Sequence, residues 1–209
     1  MTAVKIMALC AGAYLIGSIP TAYLMGRVLK GIDIRGHGSG NVGATNVMRV
    51  LGTQAGVATL AIDLLKGYLV VGLLAPLACP DPSRLPAARI LGCVAVVAGH
   101  NWMIFLRFSG GKGVATTAGA LLAMMPLVAV SIFGIFAVIV ALTRYVSLGS
   151  IAAGVCIPVF AWAYGQPPAY LWFAAALAAA LILKHRANIS RLLAGTEKKL
   201  GSRTERVAR

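Results

Sequence analysis

Long apolar runs, separated by short polar or glycine-containing breaks, follow one another along most of this chain. A helix needs about 20 apolar residues to cross the hydrocarbon core of a bilayer, and several runs approach or exceed that length. The pattern predicts seven membrane spans, near residues 6–28, 54–77, 87–106, 114–125, 127–143, 149–164 and 169–184. We therefore expect an all-α polytopic membrane protein, and we interpret the first run as a retained span rather than a cleaved leader.

The region 114–143 leaves the number of spans open. It can form one long tilted helix or two short helices hinged at Pro126. Cytoplasmic loops of membrane proteins are enriched in Lys and Arg. Seven spans with the N-terminus outside and the C-terminus cytoplasmic leave only Lys5, Arg84 and Arg89 on the outer side. A five-span version, in which the doubtful spans merge in pairs, keeps this orientation and is the alternative.

The composition agrees with a single integral-membrane domain over residues 1–209. Soluble domains are about 45–50% apolar and about 25% charged, whereas this chain is 59% hydrophobic and 11% charged. The net charge of +14 fits the basic cytoplasmic loops of a membrane protein. No basic stretch is interleaved with aromatic residues, so we expect a lipid bilayer, and no nucleic acid, as the partner.

The cysteines, Cys10, Cys79, Cys93 and Cys156, are scattered and lack the C-x-x-C spacing. They predict free thiols used as small apolar side chains. Because no carboxylate or Cys/His cluster offers a site, we expect no metal and no cofactor.

Two glycine-rich segments have similar sequences, "SGNVGAT" at Ser39–Thr45 and "SGGKGVAT" at Ser109–Thr116. Each follows a histidine, His37 or His100. Glycines permit positive φ, so that successive backbone N–H groups can line a concave anion site. A helix is predicted directly after the second segment, and its N-terminus, together with Lys112, would attract an anion further. The alternative is that these glycines only form turns or close helix contacts.

A third polar segment, "KHRANISRLLAGTEK", follows the last span. His185 and Asn188 are three residues apart and share a helix face, although a basic segment here also fits ordinary membrane anchoring.

Within the second span, Asp63 and Lys66 are expected to pair with each other. The sequence contains no G-x-S-x-G motif, so it gives no support to a covalent serine mechanism. These residues indicate a lipid-phosphate enzyme or a transporter of phosphate or a phosphorylated solute.

The motifs "GSGNVGATNVMR", "GHNWMIFLRFSGGKGVATTAG" and "KHRANISRLLAGTEKK" resemble the three signature regions of the bacterial acyl-phosphate-dependent glycerol-3-phosphate acyltransferases, the PlsY family. The opening "YLIGSIPTAYLMGR" resembles that family's first helix. The resemblance implies a seven-span inner-membrane enzyme that makes lysophosphatidic acid and phosphate from acyl phosphate and glycerol 3-phosphate, in the first step of phospholipid synthesis. It also suggests a functional partner that makes acyl phosphate.

The resemblance assigns roles by motif position. The expected catalytic residues are His185, Ser39 and Asn188. The expected glycerol 3-phosphate ligands are Arg49, Lys112, His185, Asn188 and Ser39. The expected acyl phosphate ligands are Asn41, Thr45, His100, Gly110, Gly111, Lys112, Gly113 and Thr116. Glu197 is expected to be structural, and Ser109 departs from the Lys or Arg of many relatives.

Acyl phosphate carries an excellent leaving group, so positioning and charge neutralisation can supply most of the acceleration. The expected mechanism is direct attack by the 1-hydroxyl of glycerol 3-phosphate, without a covalent acyl-enzyme. Either His185 or a substrate phosphate oxygen is the base.

Overall fold

The computed structural model describes residues 2–201, which form helices and connecting segments. Arg203, Glu205, Arg206 and Arg209, which belong to the predicted cytoplasmic tail, lie outside this range. The α-helices are α1 Ala3–Ser18, α2 Thr21–Lys30, α3 Ala44–Leu51, α4 Thr53–Leu69, α5 Ala75–Ala78, α6 Leu85–Asn101, α7 Val114–Met124, α8 Pro126–Thr143, α9 Val146–Ala163, α10 Pro168–Lys184 and α11 Arg186–Leu193. A π-helical turn, Val70–Leu74, joins α4 to α5, and short 3₁₀ turns occupy Ile34–Gly36 and Ile104–Leu106.

Within residues 2–201, five helical segments are long and apolar enough to cross a membrane: Ala3–Lys30, Thr53–Ala78, Leu85–Leu106, Pro126–Thr143 and Val146–Ala163. A sixth consists of α10 and α11, which meet at a 59° bend. Helix α7 is apolar but has only 11 residues, or about 16 Å at 1.5 Å per residue. The prediction of an all-helical membrane protein with several spans is confirmed.

Two breaks in the helices have identifiable causes. Between α7 and α8, Met125 has φ −141° and ψ 68°, and α8 starts at Pro126. The region 114–143 is therefore two helices, and the merged version with one long helix is wrong. The first apolar run, predicted as one helix over 6–28, is interrupted at Ile19 and Pro20. Proline has no backbone N–H to continue the helical hydrogen bonds.

A buried ion pair stabilises this first break. Lys66 Nζ lies 2.7 Å from Asp63 Oδ1, which confirms the predicted pairing. The same ammonium donates to the carbonyl of Ile19 at 2.7 Å and to Thr21 Oγ1 at 2.6 Å. Thr21 Oγ1 in turn donates to Asp63 Oδ1 at 3.1 Å. The interrupted helix is thus tied to α4 by groups that satisfy one another's hydrogen bonds.

Glycines allow two helix pairs to pack with their backbones in contact. A Cβ on Gly17 of α1 would overlap the backbone of α6, and a Cβ on Gly99 of α6 would overlap the backbone of α1. Gly67 and Gly119 have the same reciprocal relation between α4 and α7. Small residues at such contacts are how membrane helices gain close van der Waals packing. These two contacts fix the distances between the helices that carry the polar loops.

We predict that Gly17→Ala destabilises the protein, because the added methyl meets backbone that cannot move away. Overpacking of this kind costs about 1–3 kcal/mol. Gly12→Ala is the matched control on the same helix, since a Cβ there has nothing within 4 Å. Thermal unfolding of the purified variants in detergent measures the difference. Equal unfolding temperatures for the two variants would contradict the close α1–α6 contact.

Candidate active site

The three polar motifs come together in the structure. The first includes the loop 37–43 before α3, the second includes the loop 110–113 before α7, and the third surrounds the bend between α10 and α11. Lys112 Nζ of the second motif hydrogen-bonds to Asn188 Oδ1 of the third. Arg49 Nη2 of the first motif donates to the carbonyl of Lys198 at 3.0 Å. Segments distant in sequence therefore form one site, with Arg49, Lys112 and Asn188 among its members.

The first loop is organised by Asn46, a residue not among the predicted site residues. Its side chain is 1% exposed. Asn46 Oδ1 accepts the backbone N–H of Ser39 at 2.8 Å, and its Nδ2 donates to the carbonyl of His37 at 3.0 Å. Gly38 has φ +65°, and a Cβ there would overlap the Asn46 amide. This loop has the left-handed glycine conformation expected for an anion cradle.

The second loop uses its glycines differently. Of Gly110, Gly111 and Gly113, only Gly113 has a positive φ, +76°. A Cβ on Gly110 would overlap the carbonyl of His100, and a Cβ on Gly111 would overlap His100 Nε2 and approach the carbonyl of Val42. Among these three glycines the left-handed conformation is used at Gly113, whereas at Gly110 and Gly111 close packing against His100 and the first loop requires glycine.

Helix α7 begins directly after this loop, with Gly113 as its N-cap. The first N–H groups of a helix have no intrahelical partner, and the helix dipole favours an anion beside them. The expected ligand Thr116 lies deeper. It is fully buried where α7 contacts α4, and none of the residues that the structure describes gives its Oγ1 a hydrogen bond.

The other expected residues of the first motif line the loop itself. Ser39 is exposed, whereas Asn41 and Thr45 are half-buried. Ser109, the departure from the family pattern, is exposed, and so is the nearby Arg107. Ser109 is therefore not held in a buried contact that could take the place of the Lys or Arg found in many relatives.

His185 lies at the bend between α10 and α11 and is 2% exposed. Its Nδ1 is 2.9 Å from the carbonyl oxygen of Leu181. A carbonyl can only accept, so this bond places the proton on Nδ1 and leaves a lone pair on Nε2 in the neutral ring. Asn188, one turn later, donates from Nδ2 to Glu197 Oε1 at 2.7 Å. This bond orients the amide so that its oxygen faces Lys112.

Glu197 receives hydrogen bonds from three directions. Ser147 Oγ and Asn188 Nδ2 donate to Oε1, and Arg191 Nε donates to Oε2, each at 2.7 Å. Burial opposes ionisation of the Glu197 carboxyl, but these hydrogen bonds outweigh it and lower its pKa. These contacts suit a structural role for Glu197, which stays a prediction. Ser147 is a second residue that the motifs did not indicate.

The segment after α11 covers the site. Lys198 accepts from Arg49 through its carbonyl, and its Nζ donates to the carbonyl of Gly38 at 3.5 Å. Leu200 N donates to the carbonyl of Arg144 at 2.7 Å, and Arg144 Nη2 donates to the carbonyl of Leu200 at 2.9 Å. Nothing in the pattern of residues 194–201 predicted these contacts, because they are made mostly by the backbone.

The site is strongly basic. Burial lowers the pKa of Lys112 to about 8; Glu197 opposes this shift, while Arg191 and Arg49 add to it. Burial also lowers the pKa of Arg49, and its buried Nε has no hydrogen-bond partner within the described part of the chain. An anion placed between these cations would stabilise their charged forms. Among residues 2–201, no three His, Cys, Asp or Glu side chains cluster as a metal site requires.

The fold and site together define an all-helical integral-membrane protein with a basic, glycine-lined centre whose groups suit an anion. The family model "Glycerol-3-phosphate acyltransferase" matches residues 7–195. A glycerol-3-phosphate acyltransferase 2 of Moorella thermoacetica is 52% identical over 192 residues, covering 92% of this chain and 96% of the relative. A glycerol-3-phosphate acyltransferase of Clostridioides difficile is 46% identical over 198 residues, covering 92% and 94%.

Crystal structures of PlsY, an integral membrane glycerol 3-phosphate acyltransferase, are similar to this chain throughout. The glycerol 3-phosphate form has a TM-score of 0.85 and 40% identity, and covers 94% of this chain and 96% of its own. The lysophosphatidic acid form has a TM-score of 0.83 at the same identity and coverage. The chain belongs to the PlsY family of glycerol-3-phosphate acyltransferases. This confirms the predicted family and its enzymatic class, and disfavours the transporter alternative.

We predict that kcat/KM for glycerol 3-phosphate falls as the pH rises above about 8, because Lys112, with its pKa lowered to about 8 by burial, then loses its charge. A neutral amine cannot neutralise a phosphate, so the loss occurs on the alkaline side. In kcat/KM the transition reports the free enzyme.

Lys112→Arg is the matched variant, because guanidinium stays charged at these pH values. Its pH profile is expected to lose the break near pH 8 even if its activity is lower overall. An unchanged break in this variant would assign the titration to another group.

Proposed function

We propose that this enzyme transfers a fatty acyl group from acyl phosphate to the 1-hydroxyl of glycerol 3-phosphate. The products are lysophosphatidic acid and inorganic phosphate. The observation that carries the proposal is the convergence of two glycine loops, Arg49 and Lys112 with the His185–Asn188 pair in one site. Both proposed substrates bear a phosphate, so two neighbouring groups of phosphate ligands are needed. The PlsY structures in glycerol 3-phosphate and lysophosphatidic acid forms support the acceptor and the product.

The ligands divide between the two substrates. Arg49, with its unpartnered Nε, and the His185–Asn188 pair are proposed to hold glycerol 3-phosphate. The 110–113 loop, the N-terminus of α7 and Lys112 are proposed to hold the acyl phosphate. The contact between Lys112 and Asn188 supports a position for Lys112 between the two proposed substrates. A cation at that position can neutralise charge on either phosphate.

The surface beside the loop suits a substrate with a fatty chain. Trp102, Ile104, Phe105 and Phe108 are exposed large apolar side chains in the segment directly before it. Large apolar side chains in such a position fit contact with lipid. The acyl chain can therefore remain in the bilayer while the phosphate enters the polar site.

The proposed reaction is a single displacement. The 1-hydroxyl oxygen bonds to the acyl carbonyl carbon, the bond from that carbon to the phosphate oxygen breaks, and the hydroxyl proton moves to a base. His185 Nε2 is the proposed base, because the Nδ1 contact with Leu181 leaves its lone pair available. A substrate phosphate oxygen is the alternative base. Ser39, exposed in the first loop, is proposed to donate a hydrogen bond to a substrate phosphate and not to form an acyl-enzyme.

We also propose seven crossings with the N-terminus outside and the site on the cytoplasmic side. Five long segments, the bent α10–α11 pair and the short helix α7 support this count. The basic residues of the site lie on the side that the positive-inside rule assigns to the cytoplasm. A bacterial inner membrane and a partner that makes acyl phosphate fit the same proposal.

The donor is tested with purified protein in lipid, supplied with glycerol 3-phosphate and either palmitoyl phosphate or palmitoyl-CoA. We expect equal amounts of lysophosphatidic acid and phosphate from palmitoyl phosphate, and no product from palmitoyl-CoA. Turnover with palmitoyl-CoA alone, by protein shown to be folded, would overturn the proposed donor. Lysophosphatidic acid formed from palmitoyl phosphate after a burst of phosphate release would instead indicate a covalent intermediate.

We predict that His185→Ala lowers kcat by about 10²–10⁴-fold, the usual contribution of a general base. His37→Ala is the control, since that ring is exposed and contacts only the carbonyl of Asp33 in its own turn. Steady-state rates with palmitoyl phosphate and glycerol 3-phosphate provide the measurement. A His185→Ala enzyme with nearly normal kcat would assign the base to the substrate phosphate.

A further inference from the structure

The intramembrane ion pair does more than join two helices. Asp63 Oδ1 accepts from Lys66 at 2.7 Å and from Thr21 at 3.1 Å. The same oxygen lies 3.8 Å from His100 Nδ1, which is buried and finds no hydrogen-bond partner among residues 2–201. Asp63 is 2% exposed and His100 is 4% exposed. A fixed carboxylate thus lies beside an unpaired nitrogen of a buried histidine ring.

His100 makes two contacts with the loop that receives the proposed acyl phosphate. Its carbonyl accepts the N–H of Gly111 at 3.0 Å. Its Nε2 lies so close to Gly111 that a Cβ there would overlap it. Gly111 also approaches the carbonyl of Val42 in the first loop. The position of this one ring therefore sets where the second loop lies and how near it comes to the first.

We infer that Asp63 is a positioning residue for the reaction, acting through the His100 ring on the 110–113 loop. The inference rests on the proposed function, since it assigns that loop to the acyl phosphate. Thr21 and Lys66 hold the carboxylate oxygen, this oxygen lies 3.8 Å from His100 Nδ1, and Nε2 of the same ring lies against Gly111. Asp63 would act through the His100 ring rather than by touching the substrate.

The ion pair by itself does not explain these residues. Replacing a buried ion pair by apolar or neutral residues of similar size is often neutral or stabilising, whereas removing one partner is strongly destabilising. Ionisable groups within membrane spans are costly and usually functional. A pair that only joined α2 and α4 would need no carboxylate oriented toward His100. Lys66 requires the charge of Asp63, and the ion pair alone leaves unexplained why the same oxygen lies beside the His100 ring.

The test uses the double variant Asp63→Asn/Lys66→Met, which removes both charges together and leaves no unpaired buried ion. The measurements are the KM for palmitoyl phosphate, the KM for glycerol 3-phosphate and the thermal unfolding temperature. We expect the KM for palmitoyl phosphate to rise roughly ten- to hundredfold, as loss of positioning does. The KM for glycerol 3-phosphate should rise less, because Lys112 alone among its proposed ligands lies in the displaced loop, while Arg49 and Asn188 are not reached by this change.

His100→Gln provides a second measurement that leaves the ion pair intact. It should raise the KM for palmitoyl phosphate as the double variant does, and combining the two should raise it no further, because both act through one ring. A wild-type KM for palmitoyl phosphate in the double variant, or equal increases in both KM values, would overturn the inference. If the double variant does not fold, an unchanged KM in His100→Gln overturns it. Folded wild-type enzyme without turnover on palmitoyl phosphate would instead reject the proposed function.

Discussion

Backbone groups in hydrocarbon must find their hydrogen bonds within the protein, and this constraint governs the rest of the structure. An unsatisfied N–H or C=O there costs several kcal/mol, so lipid-exposed segments must be regular helices. Irregular backbone lies mostly at helix ends, as in the loops 37–43 and 110–113 and the bend at His185, and the break at Ile19 and Pro20 inside the first span is compensated by Lys66. Since the ends of packed helices lie side by side, segments far apart in sequence become neighbours.

The same constraint explains how polar groups are used inside the bundle. The proline break of the first helix leaves the carbonyl of Ile19 available, and Lys66 donates to it. Asp63 then neutralises Lys66 and faces His100. Each of these groups lies beside the next one, from the Ile19 carbonyl through Lys66 and Asp63 to His100. The His100 ring in turn lies against the second glycine loop. Packing, charge and the candidate site are thus connected physically.

How far the site was predictable depended on the kind of residue. Glycines and cations in long motifs, such as Gly113 and Lys112, could be named from the sequence and lie in the site. Asn46 and Ser147 could not, since each acts through one hydrogen bond or a few to groups that only the fold brings near. The sequence also does not reveal why a given position requires glycine. A positive φ at Gly113 and a close contact at Gly111 look the same in sequence.

The sequence by itself determined the all-helical class, the approximate spans and the three motifs, because apolar length and glycine or charge content are local properties. Tertiary structure decided between the two alternatives for 114–143, in favour of two helices, and brought Lys198 against Arg49. It also decided that Glu197 orients Asn188 toward Lys112. These features depend on distances between helices, which are set by contacts such as that of Gly17 with α6, and a pattern along one chain does not contain such distances.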